Sequence, residues 1–399
     1  MPNAHPRTVL VLGGDGFCGW PTALDQSDRG RKVVIVDNLS RRKIDAELGT
    51  ASLTPIQSPE RRLEAWRETS GRSIDFVDLD VSSDVEALSA VLEEHRPDAV
   101  VHFAEQRSAP YSMLSTTHRN YTVRNNLMAT QNLLEAIRLT RLPTHIVHLG
   151  SVGVYGYSSK DWTMPEGYLA VTVPSSEHPD RQVEILHPFE PVSIYHLSKC
   201  MDAQLFEFYA RYDRLRITDL HQGVVWGTQT RLTKQNDLLI NRFDYDSIWG
   251  TVVNRFLMQA ALGHPLTVYG EGEQTRAFIH LEDAVTCVNL ALENPPAARE
   301  RVRIRNQVAE CLRVVDVAGV ISDSTGAAIT YVDNPRIEEA QNTLQVTNDS
   351  FSELGFIPTF LRDGIWRESV DIAQRFRDCA DLDRIMPHRS GEHVRAVGA

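Results

Sequence analysis

Val9-Leu10-Val11-Leu12-Gly13-Gly14-Asp15-Gly16-Phe17-Cys18-Gly19-Trp20 is the stretch on which the fold turns. Its first four residues are apolar without a polar break, as a strand buried on both faces requires. Gly13, Gly16 and Gly19 then recur at three-residue spacing. Glycines here permit a tight strand-to-helix turn and let backbone N–H groups approach a pyrophosphate at a helix start. The run is a weak signal alone and gains meaning from its place between a strand and a helix. Asp37 ends the next apolar run, 18 residues after Gly19. A carboxylate there accepts from the adenosine ribose hydroxyls and favours NAD over NADP. Arg41 and Arg42 follow it and are the side chains a 2′-phosphate would meet.

Outward from this turn, short β-branched runs recur at 9–12, 33–37, 74–79, 99–103, 146–149 and 216–220. Helical periodicity fills the gaps, notably at 85–94 and 126–138. Apolar strands alternating with amphipathic helices predict a parallel sheet covered on both faces, a doubly wound α/β (Rossmann) sheet. A smaller C-terminal α/β substrate-binding domain is expected from helices at 249–262, 281–293 and 314–324, strands at 266–269 and 329–332, and a last long helix at 365–377. The domains expected are 1–228, mainly cofactor-binding, and 229–387, mainly substrate-binding with some elements returning to the first, before a flexible tail at 388–399. The insert 157–191 has several prolines and little periodicity, and reads as an irregular lid.

The chain of 399 residues carries a formal net charge of −12, which argues against nucleic acid or an acidic membrane surface as partner. No apolar run approaches the ~20 residues of a membrane helix. Five cysteines without a CxxC pair read as free thiols, with no metal site. The polar start shows no secretion signal, so a cytoplasmic protein is expected.

Tyr195-His196-Leu197-Ser198-Lys199 contains YxxxK, which on a helix places a phenol and an ammonium on one face. The positive charge favours phenolate, so Tyr195 can take a proton from a sugar hydroxyl. Lys199 can also reach the nicotinamide ribose, and Ser151, closing the fifth strand, can bind the same sugar hydroxyl.

Together these features resemble the extended short-chain dehydrogenase/reductase family. The blocks 13–20 (GGDGFCGW), 105–113 (EQRSAPYSM), 195–199 (YHLSK), 241–251 (NRFDYDSIWGT) and 263–276 (GHPLTVYGEGEQTR) resemble its UDP-sulfoquinovose synthase branch over nearly the whole chain. That resemblance implies NAD-dependent conversion of a UDP-sugar, with sulfite, through 4-keto and 4-keto-5,6-ene sugars, in a homodimer. It implies Tyr195, Lys199, Ser151 and His196 as catalytic residues. It places the cofactor against Gly13, Gly16, Phe17, Cys18, Gly19, Asp37, Asn38, Asp80, Val81 and Ala104, with Tyr195 and Lys199. Substrate contacts fall on Gln106, Arg107, Gln222, Arg276 and Arg336. Three positions depart from the branch, which carries Thr at Ser151, Glu at Val154 and Asn at His221. A diverged UDP-sugar 4-epimerase or 5,6-dehydratase, in natural-product assembly, is the alternative; a scaffold protein would not need to retain Tyr195, Lys199 and Ser151.

Overall fold

The computed structural model describes residues 5–157, 162–186, 189–334 and 342–385. Arg336 and the tail expected at 388–399 lie outside the described residues. Seven parallel strands form the main sheet: β1 (Thr8–Leu12), β2 (Lys32–Asp37), β3 (Ile74–Asp78), β4 (Ala99–His102), β5 (His145–Ser151), β8 (Arg216–Gln222) and β12 (Arg303–Gln307). Their order is β12-β8-β5-β4-β1-β2-β3. The strand order reverses between β1 and β4, whose ends Leu12 and His102 are paired. At such a reversal the connecting loops part and leave a crevice at the carboxyl edge.

The continuous apolar reading of β1 is explained by the two layers it joins. Val9 and Val11 enter a core on one face, and Leu10 and Leu12 a core on the other. The first face is covered by α1 (Gly19–Asp28), α3 (Pro59–Ser70, which follows α2, Ser40–Leu48) and α9 (Leu281–Glu293). The second is covered by α4 (Val85–His95), α6 (Thr116–Thr140, after the short α5, Ala109–Met113) and α7 (Ile194–Tyr212). Capping fixes where these helices begin: Asp84 accepts from Ala87 N, Ser115 from His118 N, and Ser193 from His196 N.

A second lobe packs beside the carboxyl edge. It holds the three-stranded sheet β13-β11-β9, from β9 (Val224–Trp226), β11 (Thr275–His280) and β13 (Glu310–Arg313), and the pair β10 (Leu266–Tyr269) with β14 (Ile329–Val332). Trp226, Phe256, Leu257, Phe278, Val317 and Trp366 form its core with α8 (Val252–Ala261) and α10 (Val314–Thr325).

Several elements differ from the sequence expectation. The insert 157–191 is not irregular: β6 (Tyr168–Val173) and β7 (Arg181–Leu186) form an antiparallel hairpin. Pro165, Pro174 and Pro179 flank these strands rather than interrupt them, so the prolines mark the hairpin's turns. None of 162–186 lines the cleft described below; among the described residues here, the flanking Tyr157, Glu190, Pro191 and Val192 do. The sixth helix is nearly twice the expected span, because its first half, including buried Thr122 and Asn126, faces polar partners and lacks an apolar stripe. The helix expected at 249–262 begins at Val252, since Asp246 caps Ile248 N and Trp249 N in a turn. The last long helix is the shorter Arg367–Arg375, preceded by the short α11 (Asp349–Glu353).

Candidate active site

A cleft of about 1820 Å³ opens at the strand-order reversal, between the sheet edge and the second lobe. Its floor begins at the glycine turn. A Cβ on Gly19 would lie 2.1 Å from Gly13 O, and one on Gly13 would lie 2.7 Å from the Phe103 carbonyl. Neither position accepts a side chain, because β1, α1 and the β4 loop meet there backbone to backbone. A Cβ on Gly16 would meet only Gly13 O, at 3.1 Å, and otherwise enter open cleft. This bare strip before the start of α1 fits a dinucleotide pyrophosphate.

Asp37, Asn38, Asp80 and Val81 line the far end, and Phe17, Cys18 and Ala104 the middle. Asp37 accepts from Asp15 N at 2.9 Å and Leu39 N at 2.8 Å. Burial and the charge of Asp15 push its carboxyl up to about 6. The two arginines that could meet a 2′-phosphate are held elsewhere. Arg42 makes a bidentate pair with Asp15 at 2.6 and 2.8 Å. Arg41 makes another with Asp244 at 2.9 and 3.2 Å and lies 3.8 Å over Trp249. Burial lifts the Cys18 thiol to about 11, so it is a neutral wall.

At the other end, α7 presents Tyr195 and His196 to the cleft opposite Ser151. Ser193 caps the helix and accepts from His196 N at 3.2 Å, and Tyr195 N donates to Ser112 Oγ at 3.2 Å. Ser151 Oγ accepts from Gly153 N at 3.1 Å, and its hydroxyl lowers the Tyr195 proton affinity. Burial raises the Tyr195 proton affinity, Lys199 lowers it and Glu105 raises it. His196 is pushed down to about 4 by burial and by Arg276, so its imidazole is unprotonated at neutral pH.

Lys199 is the surprise. Its Nζ lies 5.9 Å from the Tyr195 ring centroid, yet the side chain does not reach the cleft wall. It turns into the floor, forms an ion pair with Glu105 Oε2 and donates to Leu149 O, each at 2.7 Å. His102, Glu105 and His148 bring three ligand-type atoms within 4.8 Å of one another, but the Lys199 ammonium already fills the place of a cation there.

The expected substrate contacts divide. Arg107 lines the cleft and donates to Asp244 Oδ2 at 2.6 Å. Arg276 lines it with Nη1 donating to Asn342 Oδ1 at 2.8 Å. Gln222 lines it and donates to Gln307 Oε1 at 2.9 Å. Gln106 also borders it, but its amide is turned inward, donating to Ser108 O and Thr122 Oγ1 at 2.9 and 3.1 Å. Sequence reasoning missed Glu105, His148, Asp219 and Asp244. The first and last sat inside quoted blocks as bare letters, and only tertiary pairing gives them a role. Val154 and His221 are almost fully buried, and neither lines the cleft.

The model of the NAD-dependent epimerase/dehydratase family matches residues 9–305. A chloroplastic UDP-sulfoquinovose synthase of Spinacia oleracea is 40% identical over 97% of this chain and 80% of that protein. The chain belongs to this family. A second such relative, the UDP-sulfoquinovose synthase of Sulfolobus acidocaldarius, is 37% identical over 88% of each chain. The epimerase/dehydratase fold is seen again in the UDP-glucose 4-epimerase of Thermotoga maritima, solved with UDP-glucose (TM-score 0.67, 20% identity, 93% of this chain and 98% of that one). It recurs in the Thermus thermophilus UDP-glucose 4-epimerase solved with NAD (TM-score 0.65, 21% identity, 94% and 100%). As a member of the epimerase/dehydratase family the protein is an NAD-dependent nucleotide-sugar-modifying enzyme.

Proposed function

We propose that the protein makes UDP-sulfoquinovose from UDP-glucose and sulfite, releasing water. The observation that carries this is Tyr195 and an unprotonated His196 side by side on α7, ring centroids 5.1 Å apart, opposite Ser151 in one cleft that also holds the glycine strip. Bound NAD supplies the acceptor, and later the donor, of the hydrogen at the sugar C4. Tyr195 takes the C4 hydroxyl proton while Ser151 orients that hydroxyl. The resulting ketone acidifies C5–H, and His196, free of its own proton, is the base next in reach. Loss of the C6 hydroxyl with that proton gives the 5,6-ene. Sulfite adds at C6, a proton returns to C5, and Tyr195 returns its proton as the C4 alcohol re-forms. Arg107 and Arg276 are the cleft cations for the diphosphate and sulfite, and Arg336 joins them by sequence position.

The departures at Val154 and His221, which speak for a diverged epimerase or dehydratase, lose weight because both side chains sit in packing beneath the cleft. Val154 belongs to an apolar cluster with Met164, Cys200 and Leu344. His221 bonds Asp219 Oδ2 at 3.0 Å.

The unit proposed is a cytoplasmic homodimer. Met128 and Leu139 on α6, with Phe208 and Tyr212 on α7, leave adjoining helices with exposed apolar side chains. Among the described residues no helix is long and apolar enough to cross a membrane. Residues 1–228 mainly hold the cofactor and 229–387 the substrate, with β12 returning to the main sheet.

Incubation of the NAD-loaded protein with UDP-glucose and sulfite, followed by mass spectrometry, tests the reaction. A sulfonated sugar nucleotide is expected. Its absence from folded protein overturns the reading, and C4 inversion without sulfite establishes the epimerase instead.

A further inference from the structure

Behind Lys199 lies a buried chain of charges that the reaction above does not use. Glu105, on the loop after β4, is shared by two cations. Its Oε2 takes Lys199 Nζ at 2.7 Å, and its Oε1 takes His148 Nε2 at 2.9 Å. The other ring nitrogen of His148, Nδ1, meets Asp219 Oδ1 on β8 at 2.8 Å. Burial and the Lys199 ammonium, 3.2 Å from Nε2, disfavour a proton on His148, but the carboxylate on each nitrogen outweighs them and raises its pKa to about 9, so it donates from both as imidazolium. All four side chains are less than a twentieth exposed: 4% for Lys199, 3% for Glu105, 0% for His148 and 2% for Asp219. Charge is balanced within the set, two cations against two anions. Buried charges persist only when paired in this way.

We propose that Glu105 is a positioning residue for the base: it holds the Lys199 ammonium in the floor, cancels part of its field at Tyr195, and is itself kept ionised and in place by the His148–Asp219 pair. This rests on Tyr195 as the base of the reaction proposed above. The geometry implies a base that is held back. With Lys199 satisfied by Glu105, Tyr195 keeps its proton, and loosening that pair exposes the phenol to an uncancelled positive charge.

The groups facing this set come from every element around it. Lys199 and Asp202 lie on α7, His102 on β4, Glu105 and Arg107 on the loop after it, His148 and Ser151 on β5, and Asp219 on β8, where His221 meets its Oδ2 at 3.0 Å. Asp202 is fully buried, and burial with Glu105 as a neighbouring anion raises its proton affinity. His102 lies 3.4 Å from Glu105 Oε1, and burial holds it neutral, at about 3. Arg107 is engaged by Asp244. Of these, Lys199 and Glu105 act most strongly on Tyr195 after burial, and in opposite directions.

The test is an ultraviolet titration of tyrosinate in the holoenzyme, each variant read against its own Tyr195→Phe partner to isolate the one phenol. Glu105→Gln keeps the shape and removes the charge. It should lower the Tyr195 pKa by ~1 unit or more, as loss of a nearby like charge does, and move the acid limb of the kcat/KM profile down with it. Glu105→Asp, which restores the charge, should return both toward wild type. His148→Gln removes the group that keeps Glu105 ionised and in place and should lower the Tyr195 pKa in the same direction as Glu105→Gln, by less; it carries the test if Glu105→Gln does not fold. An unmoved Tyr195 pKa in folded Glu105→Gln, or a rise in folded His148→Gln, overturns the proposal. The optical titration needs no turnover, so a protein that makes no sulfonated sugar can still pass or fail it.

Discussion

Gly153 lies in the turn Val152–Tyr155 that follows Ser151, directly against His196. A Cβ at Gly153 would stand 2.3 Å from both Cδ2 and Nε2 of that ring, about 1 Å inside ordinary contact. The ring has little room to retreat. Its Nδ1 lies 3.0 Å from Ser193 Oγ, its backbone N–H is tied to the same hydroxyl, and the next residue back, Tyr195, is tied to Ser112. Gly153→Ala should therefore displace the first turn of α7 as a unit. Overpacking of this kind costs ~1–3 kcal/mol, and a ~1 Å error in a reacting group costs ~10²-fold in rate. The expected result is a modest fall in melting temperature with a loss of roughly two orders of magnitude in kcat. KM for the sugar nucleotide should change little, because Arg107 and Arg276 are untouched. Steady-state rates and a thermal melt on the same preparation measure both. Gly319→Ala is the control, since nothing lies within 4 Å of a Cβ on that α10 glycine; it should stabilise by ~0.5–1 kcal/mol. A Gly153→Ala protein that turns over at the wild-type rate would show that the position of His196 is irrelevant to the chemistry.

Gly19→Ala forces a Cβ to 2.1 Å from Gly13 O, so the protein should be isolated without NAD; nucleotide released on denaturation measures this. Asp244→Ala removes the shared anion of Arg41 and Arg107, and breaking buried pairs of this kind costs ~3–5 kcal/mol, read by denaturant unfolding. Because Arg41 and Arg107 hold the Asp244 carboxyl far below its usual range against burial, its contribution is present at neutral pH and fades as pH falls below ~4. His145 acts in a higher window. Burial and Arg216 push it down to about 3, below its unfolded value of ~6.5, so stability is lost as pH falls between those values. His145→Gln should flatten that part of the melting-temperature profile.

The main sheet was legible because a parallel strand covered on both faces writes itself as an unbroken apolar run, and 9–12 and 33–37 are such runs. The hairpin at Tyr168–Leu186 was not. Its strands are short and largely exposed, and alternation over six residues is easily hidden by flanking prolines. In the site, the glycines and YxxxK were readable since their chemistry depends on local spacing. The orientation of Lys199 was not, because its partners, Glu105 and the Leu149 carbonyl, come from a loop and a strand 94 and 50 residues away in sequence. Nor could single letters tell that Val154 and His221 face away from the cleft, since a side chain's direction there depends on the turn after β5 and on the pairing of β8.

β12 joins the main sheet only after the chain has built most of the second lobe, lying beside β8 from Thr218 to Gln222. The two lobes are thus threaded through one another rather than strung on a tether. A protein cut after residue 228 would carry every glycine and catalytic side chain of the first lobe, yet it would present β8 as a bare edge, with its ladder of N–H and C=O groups unpaired. Such a fragment should aggregate instead of serving as an independent cofactor-binding module, and recombining the lobes with those of a relative would have to exchange that late strand as well.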